Sequence, residues 1–136
     1  MGVGYTRKPV TPNHLALLHG TPTITFGGSV IARSISVQLR DLFNRNVAGL
    51  KLVRAWITDA AGSATLTSKN ITTTITTGAA LQAITANKHY ILLCQDTTGI
   101  IGLGIVFPGP PGNIYVNIEV GGKVTESEAI LIGMDL

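Results

Sequence analysis

The chain is 136 residues long, 45% hydrophobic and only 12% charged, with a formal net charge of +3. That length fits one domain with a sizeable core. The single cysteine, Cys94, excludes an internal disulfide, and no apolar run approaches the ~20 residues of a membrane-spanning helix. An average soluble domain carries about 25% charged residues, so a mean hydropathy of +0.37 points to apolar surface that other subunits cover.

Residues 1–28 read as an extended arm. Glycines at 2, 4, 20, 27 and 28 and prolines at 9, 12 and 22 interrupt any long helix or strand. They leave room for one helical turn over His14–Leu18, capped by Asn13, and a short strand at Thr23–Phe26. No apolar stretch follows Arg7 and Lys8, so no secretory leader is expected.

A sandwich domain is expected over 29–136. Ile35, Val37 and Leu39 alternate with Ser34, Ser36, Gln38 and Arg40, the period of a strand with one wet face. Asp41–Asn46 turns the chain. In the next strand Leu52, Arg54 and Trp56 share one side and Val53, Ala55 and Ile57 the other, which sets Arg54 within reach of the Trp56 ring. Asp59–Gly62 turns it again. Seven threonines between 65 and 77 suit a solvent-facing strand pair or loop. Lys88–Gln95 is a strand with Cys94 as a buried small hydrophobe, and Asp96–Gly99 turns it into Ile100–Phe107. There Ile101, Leu103, Ile105 and Phe107 form a bulky face. Gly102 and Gly104 leave a flat slot on the other, open to an aromatic from an adjacent strand or to a partner subunit.

Pro108–Gly112 is a stiff loop. In the last hairpin Ile114, Val116, Ile118 and Val120 share one face. A three-residue loop, Gly121–Lys123, sets Val120 against Val124 and Ile114 against Ile130. That matches apolar with apolar better than a two-residue Gly121–Gly122 turn, and it directs Glu126 and Glu128 toward Ile118 and Val116. Seven or eight strands after residue 29, with no helix longer than about a turn, make an all-β, immunoglobulin-like antiparallel sandwich.

No spacing carries catalytic chemistry. His14, His19 and His89 lie in no zinc motif, there is no nucleophile elbow, and Glu126 with Glu128 reads as a solvated or interface acid pair. We expect no enzyme, no metal and no cofactor. Charge is uneven: residues 1–60 hold seven basic against two acidic side chains, +5, and the remainder three against five, −2. The basic residues are scattered singly along strands, without interleaved aromatics, so no direct nucleic-acid binding is expected. They suit a subunit whose basic side meets an acidic neighbour. The candidate interface is Arg7, Lys8, Arg33, Arg40, Arg45, Lys51, Arg54, Trp56, Gly102 and Gly104.

The order of blocks carries a resemblance. Ser36-Val-Gln-Leu-Arg-Asp41, Asn46-Val-Ala-Gly49 and Val53-Arg-Ala-Trp-Ile-Thr-Asp-Ala-Ala-Gly62 open it. Ala86-Asn-Lys-His-Tyr-Ile-Leu-Leu-Cys94, Asp96-Thr-Thr-Gly99 and Asn113-Ile-Tyr-Val-Asn-Ile-Glu-Val-Gly-Gly-Lys-Val124 continue it. Over roughly residues 30–133 this resembles small virion structural proteins of tailed bacteriophages. The resemblance implies an immunoglobulin-like sandwich in the virion, as a decoration (cement) protein on the capsid surface bound to the major capsid protein and to sister copies. A tail or neck component, or a glycan-binding surface module, are the alternatives. Asn44-Arg45-Asn46, where the group has Gly in the turn, and the Thr-rich segment depart from the pattern.

Overall fold

The computed structural model describes residues 19–134. Ten strands follow in order: β1 Thr23–Ser29, β2 Ala32–Gln38, β3 Leu52–Thr58, β4 Thr72–Thr77, β5 Ala79–Thr85, β6 His89–Leu93, β7 Ile100–Val106, β8 Gly112–Val120, β9 Lys123–Glu126 and β10 Ile130–Ile132. No helix occurs among the described residues. All pairings are antiparallel. A smaller sheet has the order β1-β2-β7-β4, and a larger one β10-β8-β3-β6-β5, with β9 also on β8.

The alternation expected from the sequence decides which faces meet. Ile35 and Val37 of β2 and Ile101, Leu103 and Ile105 of β7 line the smaller sheet. Val53, Ala55 and Ile57 of β3, Leu92 of β6 and Ile114, Val116 and Ile118 of β8 line the larger, and all are at most 2% exposed. Each fully buried Ile, Leu or Val stabilises the fold by about 1.5–3 kcal/mol. The strand orders match those of a variable-type immunoglobulin sandwich, A-B-E-D against G-F-C-C′-C″, with β9 and β10 together in the place of G. The chain path differs in the middle: from β3 it visits the edge of the smaller sheet (β4), then the far edge of the larger (β5), and only then β6. Gly78 makes that crossing. Its φ is +91°, and a Cβ there would lie 2.5 Å from the Leu93 carbonyl oxygen, so only glycine fits.

Nine strands follow residue 29, where seven or eight were expected, and β1 before them outlasts the short strand expected at Thr23–Phe26; two differences matter. The first lies in the supposed arm. Arg7, Lys8 and the helical turn at His14–Leu18 lie outside the described residues, but the remainder of the arm is built into the sandwich. Gly20 N donates to Arg40 O at 2.8 Å, and β1 pairs with β2 from Thr23↔Gln38 to Ser29↔Ala32. The boundary drawn at residue 28 thus falls inside a hairpin: an edge strand tolerates Gly27 and Gly28, which read as breakers.

The second is the C-terminal hairpin. The turn after β8 is the two-residue one, with Val120 opposite Lys123. Gly121 (φ 60°) and Gly122 (φ 83°) are both left-handed, as a turn that follows the strand twist requires. Yet Ile114 does lie opposite Ile130. One extra residue between Glu126 and Ile130 absorbs the difference, splitting the strand into β9 and β10. Ser127 bridges the gap: its N–H donates to Val116 O and its hydroxyl accepts from Val116 N, both at 2.9 Å. Glu126 therefore lies opposite Asn117 while Glu128 is exposed in the connection. The expected acid pair on one strand face does not form.

Candidate functional site on the outer face of the larger sheet

Strand register arranges the outer face of the larger sheet in three rows. The first is Ala79, Leu93 and Leu52. The second is Gln82, Ile91, Arg54, Glu119 and Val124. The third is Thr85, His89, Trp56, Asn117 and Glu126. The first row is apolar, and the third collects the polar groups.

The third row floors a groove of about 640 Å³. The segment Gly62–Leu66 walls one side, and Val124 stands at the mouth. That wall is held by backbone: Thr67 N donates to Ile57 O at 2.8 Å, and Gly62 N donates to Glu126 Oε2 at 2.8 Å. Asp59 secures its base by accepting from the Thr67 hydroxyl, from Ser68 N at 3.0 Å and from Lys69 Nζ at 2.8 Å. Burial alone would raise the Asp59 pKa, but the Lys69 ammonium and the Thr67 and Ser68 donors hold it well below the carboxylate range.

Within the groove Arg54 makes the contact expected from its spacing, its guanidinium 5.2 Å from the Trp56 ring centroid. Nη1 pairs with Glu119 Oε1 at 2.9 Å, and Nη2 is 3.2 Å from His89 Nε2. A guanidinium only donates, so His89 Nε2 is the acceptor and the imidazole proton lies on Nδ1. Burial first, and the Arg54 charge second, lower the His89 pKa, which keeps that ring neutral. The His89 ring also lies against Trp56, centroids 5.8 Å apart. Asn117, only 4% exposed, is oriented by Nδ2 contacts of 3.3–3.4 Å to Thr58 Oγ1 and to the carbonyls of Trp56 and Tyr115. Among the described residues no group of three His, Cys, Asp or Glu is placed to hold a metal ion.

The other candidate residues are not gathered here. Arg33 donates to Leu131 O (2.9 Å) and Gly28 O (3.2 Å) and covers the Phe26 ring. Arg40 bonds Thr23 and Asn46, and Arg45 pairs with Asp41 at 2.8 Å. Lys51 forms no ion pair among the described residues. Each of these arginines is thus engaged within its own chain, and among the described residues they form no single basic patch. The slot at Gly102 is closed as well: a Cβ there would meet Thr76 Oγ1 at 2.5 Å and Thr77 Oγ1 at 2.9 Å. Threonines of β4, rather than an aromatic or a partner, fill it.

Single-strand reading reached Arg54 and Trp56 but missed His89, Asn117, Glu119 and Glu126. Tyr115, Asn117 and Glu119 do alternate with the buried face of β8, and that was the available signal. Searches against protein-family models, characterised proteins and solved structures return no match to this chain.

Proposed function

We propose that this chain is a non-enzymatic structural subunit of a phage particle, a capsid decoration (cement) protein that binds across capsid subunits and stabilises the shell. The observation that carries this reading is β5. All seven of its residues are exposed, although it forms the free edge of the larger sheet. Its sequence, Ala79-Ala-Leu-Gln-Ala-Ile-Thr85, has neither charge nor proline, two of the devices that guard a sheet edge, and carries only bulges in its pairing with β6.

Leu81 is 56% exposed and Ile84 46%. Leu52, at 59%, extends the apolar surface across the first row of the outer face. Repeated on a symmetric shell, even a weak contact of this kind gains through avidity. The assignment to a phage shell rests on the resemblance of the strand and turn blocks.

The test is electron cryomicroscopy of purified particles from the genome that encodes the chain. The expected density lies on the capsid exterior, with β5 against a neighbour. Density confined to the tail or neck would replace the decoration role with a connector role, and absence of the chain from particles would end the proposal.

A further inference from the structure

The geometry points to the Trp56 groove as a binding site for a neutral saccharide, independent of the particle reading above. Its volume lies within the ~300–1,000 Å³ of small-ligand sites. It joins an apolar wall with donors and acceptors of both kinds, which is what a ring with an apolar face and a hydroxyl rim requires.

Trp56, Leu66 and Val124 supply the wall. Asn117 is fixed through its Nδ2, and among the described residues no donor reaches its Oδ1. An amide oxygen on a side chain 4% exposed thus remains available as an acceptor on the groove floor. Glu126 uses Oε2 on Gly62 N and keeps Oε1 as a second acceptor. Arg54 uses Nη1 and Nη2 and keeps its Nε–H as a donor, and the His89 ring lines the groove with it.

Charge decides against an anion. The groove holds one guanidinium, Arg54, and one carboxylate, Glu126, and Arg54 is already paired with Glu119, so a phosphate or sulfate would meet no free positive charge. A second cation would meet the like charge of the Arg54 guanidinium. A neutral polyol has neither conflict. Six of the groove-lining side chains come from β3, β6, β8 and β9, so the geometry is set mainly by the sheet rather than by a loop.

Trp56 is the only tryptophan, so intrinsic tryptophan emission reports the groove. The experiment titrates the full chain with lactose, maltotriose, chitotriose and mannotriose at millimolar concentration, alongside a heparin-derived sulfated disaccharide and inorganic phosphate. Saturation-transfer NMR serves as a second readout. The expected result is a saturable response to at least one neutral sugar and none to phosphate or the sulfated sugar. Ala64→Phe, a change on the exposed wall that leaves the core intact, should weaken that response roughly tenfold, and Glu126→Gln should weaken it too. No saturable response to any neutral sugar by either readout would overturn the inference. So would a response unchanged in Ala64→Phe, or tighter binding of the sulfated sugar or phosphate.

Discussion

Gly102 and Gly104 face the same side of β7, two residues apart, yet they bear different constraints. A Cβ on Gly102 would press into the hydroxyls of Thr76 and Thr77, whereas one on Gly104 would meet nothing closer than Thr76 Cγ2 at 3.6 Å, an ordinary contact. Gly102→Ala should therefore destabilise the fold by about 1–3 kcal/mol, the usual cost of overpacking, and Gly104→Ala should be close to neutral. Urea denaturation of the two variants checks this, and equal effects would contradict the packing described. Asp59 gives a pH prediction. Its folded pKa is lowered from 3.8, so its contribution is fully present above that value and is lost as pH falls through and below it. Asp59→Asn should flatten the acid limb of the stability profile and loosen the groove wall, which acid titration followed by circular dichroism will record. His89 is lowered from 6.5 and has the same sign: stability falls as the pH drops below 6.5, because the protonated ring would be buried and would face the Arg54 charge. His89→Gln should remove that segment of the profile.

At the scale of the element, strands with strict alternation were legible from sequence: β2, β3, β7 and β8 place the residues expected in the core there. What escaped were features fixed by partners. β1 was legible only over Thr23–Phe26, because Gly27 and Gly28 resemble breakers, and the pairing with β2 carries the strand on to Ser29. The turn after β8 was misjudged because matching apolar pairs ignores backbone twist, which favours two left-handed glycines, and because the register correction is made later, at Ser127. β5 is a different case. It pairs with β6 through two irregularities, between Ala80 and Gln82 and between Ala83 and Thr85, so Leu81 and Ile84 are the residues without an opposite partner. Such bulges re-aim side chains at sheet edges. Leu81→Lys with Ile84→Lys should leave the melting temperature nearly unchanged, since both side chains are exposed, while abolishing concentration-dependent association in sedimentation velocity. A wild-type chain that stays monomeric at every concentration would remove self-association from the account.

Across the whole molecule, the low charge content finds its place in the unequal width of the two sheets. The larger sheet runs on beyond the buried Leu92 of β6 to β5, whose residues are all exposed, and that outermost strand is uncharged on a free edge. The groove was only half legible because a binding face is a property of register: Arg54 and Trp56 are two residues apart, whereas His89, Asn117 and Glu126 arrive from three other strands. The basic residues of the first half read as scattered singly along strands, and among them Arg33, Arg40, Arg45 and Arg54 bond within their own chain. The measurement that bears most directly on the central claim is amide hydrogen exchange over residues 79–85, compared between the isolated chain and the purified particle. Rapid exchange at the outward-facing amides of the isolated chain, slowed strongly in the particle, is the outcome expected of an edge that a neighbour covers. Equal exchange in both states would mean that β5 meets nothing, and the assembly role would have to be abandoned.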